Sequence, residues 1–451
     1  MNILRLAWMR AGAALLGLGL LVAPVAMAEQ SMPGASEVRA LTLANGMRII
    51  VWPDHDIPNV ALYNFVRAGS RNEAPGITGL AHFFEHMMFN GTARRAQGEF
   101  DREMEARGGS NNASTSEDLT IYSDWFPRSA LELVFDLESD RLAHLAFVPK
   151  VIESERNVVY SERRLRVEDN NQGMLMEQVQ ATAFVAHPYQ IPTIGWPSDI
   201  QSWRREDLQK FFKTYYAPNN CTLVVAGDVT PDEVFALAKK YLEPIPRQEP
   251  PQPVLTREPE QSGEKHVLLE RKAQTPLLQF AYKTPAATDA AAPAIDLLLS
   301  ILTQGDSSRL HRALVEQQKV AISADGYWHE GFDPSLLWIF LTLPEGGEPL
   351  AAQRALDVEL QKMVDTGVTA QELTRAKNLT ATEFWKSVAT INGKARLLGQ
   401  FEVLHGDYQQ LFAAPAAYQA VTAAQLQAAA RTILQTRQRT VGVLQAPAGV
   451  K

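Results

Sequence analysis

Apolar and polar residues alternate in a short run near the start of the chain, Val38 to Leu43, and after Asn45-Gly46 the chain returns through the largely apolar Met47 to Trp52. Alternation sends successive side chains to opposite faces, and Asn-Gly is a strong hairpin turn, so the pattern predicts an antiparallel strand pair. Val60 to Val66 predicts a third strand, followed by a glycine-rich turn and a helix from about Gly79. Helical spacing recurs at 98–107, 127–144, 149–166, 204–214 and 231–241, and Cys221 to Val225 reads as a strand. After a proline-rich stretch the order begins again. His266 to Glu270 predicts a strand, Thr275 to Tyr282 matches Pro58 to Phe65 in pattern, and a helix follows near 289–303. The chain therefore carries a weak internal duplication, and strands mixed with long helices in this arrangement predict the α+β class.

The proline-rich stretch holds Pro244, Pro246, Pro250, Pro251, Pro253 and Pro259 among Gln, Glu and Arg. Such a segment packs no core and favours extended backbone, so 244–263 reads as a semi-rigid linker between units at 37–243 and 264–451. A length of 451 residues agrees, because single cores stop growing at roughly 250–300 residues. With 46% of residues apolar, wholesale disorder is excluded. A formal net charge of −8 leaves no electrostatic footprint for nucleic acid or an anionic membrane. Cys221 is the only cysteine, which excludes an internal disulfide; in its apolar run it reads as a buried, inert thiol. Residues 1–28 read as a secretory signal peptide, with Arg5 and Arg10, an apolar Ala11 to Val22, and a small-x-small site at Ala26-Met27-Ala28. Twelve apolar residues span about 18 Å as a helix, short of a ~30 Å hydrocarbon core, so cleavage is favoured over anchoring.

The chemistry concentrates in Gly79-Leu80-Ala81-His82-Phe83-Phe84-Glu85-His86-Met87-Met88-Phe89-Asn90. On a helix His82 and His86 are i and i+4, so both imidazoles lie on one face and can reach one ion. Glu85 can approach the same ion without binding it and take a proton from water, and the H-x-x-E-H order is a zinc peptidase signature. A helix that merely contains two histidines would look the same. A third ligand is needed, and Val151 to Arg164 offers Glu155 and Glu162, two turns apart on one helix face. Mixed Glu/Arg helices are more often solvated, and spacing alone leaves both readings open. Arg163, Arg164 and Arg166 read as such a solvated face, Trp125 and Trp203 as packing residues, and the seven remaining histidines as structural.

Together these residues resemble the pitrilysin family, the inverzincin metallopeptidases that include insulin-degrading enzyme and mitochondrial processing peptidase, in a short two-domain bacterial type. The resemblance covers essentially all of the chain after the signal peptide. It is strongest in Ala68-Gly69-Ser70-Arg71-Asn72-Glu73 leading into His82 to Thr92. The family places its glutamate ligand about 76 residues after the second histidine, and His86 to Glu162 is 76 positions. The resemblance thus implies Zn²⁺ held by His82, His86 and Glu162, with Glu85 as the catalytic base and Glu155 as the auxiliary glutamate. Asn112-Ala113, with Thr115, Asp118, Thr120 and Tyr122, resembles the strand that lies beside bound peptide. His187-Pro188-Tyr189, Tyr215 to Asn220 and Gly227-Asp228-Val229 are further landmarks. The implied fold is two similar domains, each a mainly antiparallel sheet packed with helices, forming half of a clamshell.

One departure shapes the expected partner. In the family's second domain, a run like Ser307-Ser308-Arg309-Leu310 precedes an arginine and, seven residues later, a tyrosine that contact substrate. Here Val315 and Ile322 stand in that register, and neither side chain donates a hydrogen bond. Arg312 is three positions away. A homologous subunit supplying the Arg/Tyr pair is therefore expected, as a heterodimer, or otherwise a homodimer. The resemblance implies a zinc-dependent endopeptidase acting on unfolded peptides, either a scavenger or a dedicated maturation protease, and the signal peptide with no second anchor favours the periplasm. Its alternative is a non-catalytic scaffold subunit of a peptidase-like complex.

Overall fold

The computed structural model describes residues 32–447, so the expected signal peptide lies outside the described residues. Among the described residues, eleven strands form two sheets. The first contains β1 (Arg39–Thr42), β2 (Arg48–Pro53), β3 (Asn59–Val66), β4 (Ser110–Thr115), β5 (Thr120–Pro127) and β6 (Cys221–Gly227), in the order β1-β2-β6-β3-β5-β4. The second contains β7 (Lys265–Glu270), β8 (Leu277–Thr284), β9 (Ser323–Trp328), β10 (Ser335–Thr342) and β11 (Arg439–Gln445), in the order β7-β11-β8-β10-β9. Apart from the extra β1, the two orders are the same. Each sheet has one parallel pairing, β2 with β6 and β7 with β11, and is otherwise antiparallel. The duplication glimpsed between β3 and β8 is thus a duplication of the whole topology.

A second repeated device confirms it. In the first half, the helix Pro149–Arg163 runs through a short π-helical turn, Arg164–Glu168, into the helix Asn171–Ala183. In the second, Ala370–Val388 is followed by Ile391–His405. Each following helix opens with a side-chain cap, Asn170 or Thr390 accepting from the backbone N–H of Gly173 or Gly393. A Cβ on Gly173 would lie 2.0 Å from the Arg166 carbonyl oxygen, and one on Gly393 would lie 1.8 Å from that of Ser387. Only glycine permits so close a corner.

Those two helices exchange places. Val60, Leu62 and Val66 face helices of their own half, including Leu80–Met87 and Leu131–His144. On the opposite face, Ile50, Ala61, Phe65 and Val224 are covered by Ile391, Ala395 and Leu398 from the second half. The second sheet likewise packs Phe280, Tyr282 and Ile339 against its own helices, while Ala281, Leu336, Trp338 and Leu444 meet Leu175 and Val179 from the first half. Burial on both faces is why β6 is buried at every position, and why its sequence is a continuous apolar run rather than an alternation. Each crossing needs a residue without a side chain. A Cβ on Gly399 would sit 1.9 Å from the Phe65 ring, and one on Gly442 would sit 2.3 Å from Val179.

Polar contacts lock the halves at the tip of the β4–β5 hairpin. The Asp118 carboxylate, 2% exposed, accepts from Arg71 Nη1 (3.0 Å), the Tyr189 hydroxyl (2.8 Å) and, from the second half, His329 Nε2 (3.2 Å) and the Phe332 backbone N–H (3.1 Å). Arg71 and His187 also reach Asp333, at 2.5 and 3.2 Å. The proline-rich segment, without regular structure over 246–262, is bound along this body. Glu258 accepts from the backbone N–H groups of Val185, Ala186 and His187, and Gln261 donates to the Arg439 carbonyl at 2.7 Å. Cys221 is buried, and burial pushes its thiol up to about 12. Among the described residues no helix is long and apolar enough to cross a membrane.

Two expectations follow. Gly399→Ala adds a methyl group where the buried Phe65 ring cannot retreat. Overpacking of about 2 kcal/mol outweighs the ~1 kcal/mol that alanine gains in a helix, so denaturant unfolding will show a net loss of stability. The second concerns His329. Burial works against its charged form, but the carboxylates of Asp118 and Glu117 outweigh burial and raise its pKa. A raised folded value means that its stabilising contribution is complete below about pH 6.5 and lost as pH rises through that value. Thermal unfolding of the natural protein and of His329→Gln should therefore differ more at pH 6 than at pH 9; a gap independent of pH would contradict the linkage.

Candidate metal centre

The helix Leu80–Met87 is fixed at its start by a buried carboxylate. Glu73 accepts from the backbone N–H groups of Gly79 (2.6 Å) and Ala81 (2.7 Å), satisfying two donors that a helix N-terminus otherwise leaves unpaired. Gly79 has φ 86°, in the left-handed region, and a Cβ there would lie 2.6 Å from the Ile194 carbonyl oxygen. The helix buries Leu80, Ala81, Phe83, Phe84 and Met87 completely. Phe83 lies 4.9 Å from Trp203, Phe84 stacks on Phe211 and Phe212, and the Tyr122 hydroxyl donates to the Phe84 carbonyl at 2.9 Å. Trp203 is a packing residue, as its sequence context predicts, and Trp125 packs partly buried on the sheet's other face.

With that face anchored, His82, Glu85 and His86 are presented towards the helix Pro149–Arg163. Their rings lie 4.8 Å apart between centroids. The Glu162 Oε2 atom is 3.5 Å from His82 Nε2 and 3.4 Å from His86 Nε2. Among the described residues this is the one group of three His, Cys, Asp or Glu side chains able to hold an ion together. Bonds of about 2.0–2.1 Å in a tetrahedral arrangement separate ligand atoms by roughly 3.4 Å, so the donor set fits Zn²⁺ in both kind and spacing. His82 Nδ1 is buried without a hydrogen-bond partner.

The surrounding contacts orient this triangle. Glu155 Oε1 is 2.7 Å from His86 Nδ1, leaving Nε2 to face Glu162, and Glu155 Oε2 accepts from Asn90 at 3.0 Å. Arg166 Nη2 forms an ion pair with the other oxygen of Glu162 at 2.8 Å. Glu85 accepts from the Thr115 hydroxyl at 2.6 Å. Burial, reinforced by the charge of His86, lowers His82 to about 4. For His86, burial is outweighed by the carboxylates of Glu155 and Glu162, which raise it to about 9. Glu162 is lowered, chiefly by its contact with His86, while burial raises Glu85 and the Thr115 hydrogen bond offsets part of that rise.

The solvated-face reading of the arginines needs correction. Arg163 is 3% exposed and makes a double ion pair with Glu177, at 2.7 and 2.9 Å, because its helix turns sharply there onto Asn171–Ala183. Arg164 and Arg166 are exposed, but Arg166 holds Glu162. The contacts of Glu73 with the helix start, of Asn90 with Glu155 and of Thr115 with Glu85 are not evident from the sequence. Asn112 and Ala113 lie on β4, which has a partner on one side only; Asn112 is exposed and Ala113 half-buried. Val315 packs partly against the second core, and Ile322 is exposed.

Comparison with known proteins adds a name to this geometry. The family described as Insulinase (Peptidase family M16) matches residues 49–196, and that described as Peptidase M16 inactive domain matches 202–380. Zinc protease PqqE of Helicobacter pylori is 32% identical over 387 residues, covering 83% of this chain and 86% of that one. The zinc protease YmxG of Bacillus subtilis is 25% identical, covering 83% and 90%. The crystal structure of a protease from Helicobacter pylori superposes with a TM-score of 0.88 at 28% identity, over 90% of this chain and 99% of the other. The periplasmic protease PqqL from Escherichia coli shares the fold, with a TM-score of 0.74 at 21% identity, this chain spanning 48% of its length. Matched by two M16 family descriptions over 49–196 and 202–380, and 32% identical to a protein named a zinc protease, the chain belongs to peptidase family M16.

Proposed function

We propose that this chain is a zinc-dependent endopeptidase of unfolded peptides, with His82, His86 and Glu162 as metal ligands and Glu85 as general base. The observation that carries the reading is the convergence of two imidazole nitrogens and one carboxylate oxygen at 3.4 and 3.5 Å. The family described as inactive domain begins at residue 202, beyond all four of these residues, so its name gives no support to a scaffold role. Bound zinc would act as a Lewis acid on the scissile carbonyl and lower the pKa of water at the site. Glu155 fixes the ring of His86, and an oriented ligand ring is held more firmly than a free one. Glu85 takes a proton from the attacking water and delivers it to the leaving amine. The peptide would add as a further strand on β4 at Asn112 and Ala113, where main-chain hydrogen bonds give affinity with little dependence on sequence.

The reading extends to assembly and place. This chain would form one half of a clamshell, and a homologous subunit would supply the arginine and tyrosine replaced here by Val315 and Ile322. A signal peptide at 1–28, as the sequence suggests, would direct export to the periplasm.

Glu85→Gln should retain one zinc per chain by metal analysis while turnover of a quenched fluorescent peptide falls by roughly a thousandfold or more. His82→Ala should lose the metal itself, since each ligand is one of three. Near-normal cleavage by Glu85→Gln would defeat the mechanism. The purified chain alone should show little peptidase activity, rising when the homologous subunit is added; full turnover by the lone chain would remove the need for a partner.

A further inference from the structure

Glu85 has two carboxylate oxygens, and one of them is already engaged. Its Oε2 accepts the Thr115 hydroxyl at 2.6 Å, a short, charge-assisted contact. Thr115 is the last residue of β4, and the alternation of that strand turns Asn111, Ala113 and Thr115 inwards while Ser110, Asn112 and Ser114 are exposed. The hydroxyl therefore comes from the sheet edge, across from the helix that carries Glu85. Thr115 is held in its turn. Its strand pairs with β5 through Thr115 and Thr120, the Ser116 backbone N–H donates to the Leu119 carbonyl at 2.8 Å, and three residues on, Asp118 is gripped by donors from both halves of the chain.

We propose that Thr115 is a positioning residue for the reaction. Its hydroxyl fixes one oxygen of Glu85 and leaves the other free to receive the proton of the attacking water. This rests on the assignment of Glu85 as base. Glu85 is half-buried on one turn of helix, and a glutamate side chain has three rotatable bonds, so without the hydrogen bond several rotamers would compete. Misplacement of a reacting group by about 1 Å can cost roughly a hundredfold in rate. The same strand that would receive the peptide backbone thus also sets the base, so substrate and proton acceptor are referenced to one rigid element.

The test compares Thr115→Val, which keeps the branched shape and removes the hydroxyl, with Thr115→Ser, which keeps the hydroxyl. Kinetics on the active assembly should show kcat for Thr115→Val reduced roughly ten- to a hundredfold, with KM and zinc content little changed. Thr115→Ser should restore most of the loss. A crystal structure of Thr115→Val should show the Glu85 carboxylate displaced or in several conformers while β4 and the helix Leu80–Met87 stay in place. The proposal is overturned if Thr115→Val keeps its kcat and an unmoved Glu85, if Thr115→Ser is as impaired as Thr115→Val, or if the loss lies in KM alone. Glu85→Gln serves as the control: near-normal turnover there removes the base assignment itself, whereas a severely impaired Glu85→Gln beside an unimpaired Thr115→Val removes only the role of Thr115.

Discussion

A sheet with one face bare to water would expose a continuous row of large apolar side chains, and this chain avoids that by exchanging helices. Ile391–His405 closes the first sheet and Asn171–Ala183 closes the second, so each half supplies the outer layer of the other. The arrangement depends on close approach. Gly399 lets a helix backbone settle against the ring of Phe65, and Gly442 lets a strand settle against Val179. With both faces covered, β3 and β5 become a rigid floor, and β4, beside the metal-site helix Leu80–Met87, is left as one of the sheet's two edges. The helix Leu80–Met87 packs against β4 and β5, and the Tyr122 hydroxyl of β5 donates to its Phe84 carbonyl.

The site itself is an exercise in holding charge out of water. Glu73 and Asp118 are both buried, and both survive because backbone or side-chain donors surround them. For Asp118 the donors prevail over burial and its carboxyl is held below the ordinary range, whereas Glu73 is raised by desolvation despite its two helix donors. The first carboxylate couples the halves; the second anchors the start of the helix carrying His82 and His86.

Much of this was legible in the chain. The alternation of Val38 to Leu43, the Asn45-Gly46 turn and the apolar run from Cys221 correspond to β1, its turn and β6. The spacing of His82, His86 and Glu155/Glu162 corresponds to side chains that do meet. What the pattern could not supply was the partner of each face. The apolar stripe of Ile391–His405 says that it is buried, not that the sheet it covers lies more than 150 residues earlier in the chain. Arg163 failed for the same reason: among neighbouring arginines it looks like solvent-facing charge, and only the tight corner after it brings Glu177 within reach. The hydroxyl of Thr115 is silent in one dimension, because its acceptor sits thirty positions away on another element.

The helix exchange also bears on what holds the molecule together when its backbone is cut. A nick anywhere in the extended segment around 246–262 would sever the covalent bridge but none of the interlocked layers. The two fragments would still each lack an outer wall without the other, so they should remain clasped as a stable pair. The covalent connection in this protein therefore serves assembly, by making the encounter unimolecular, more than it serves cohesion afterwards.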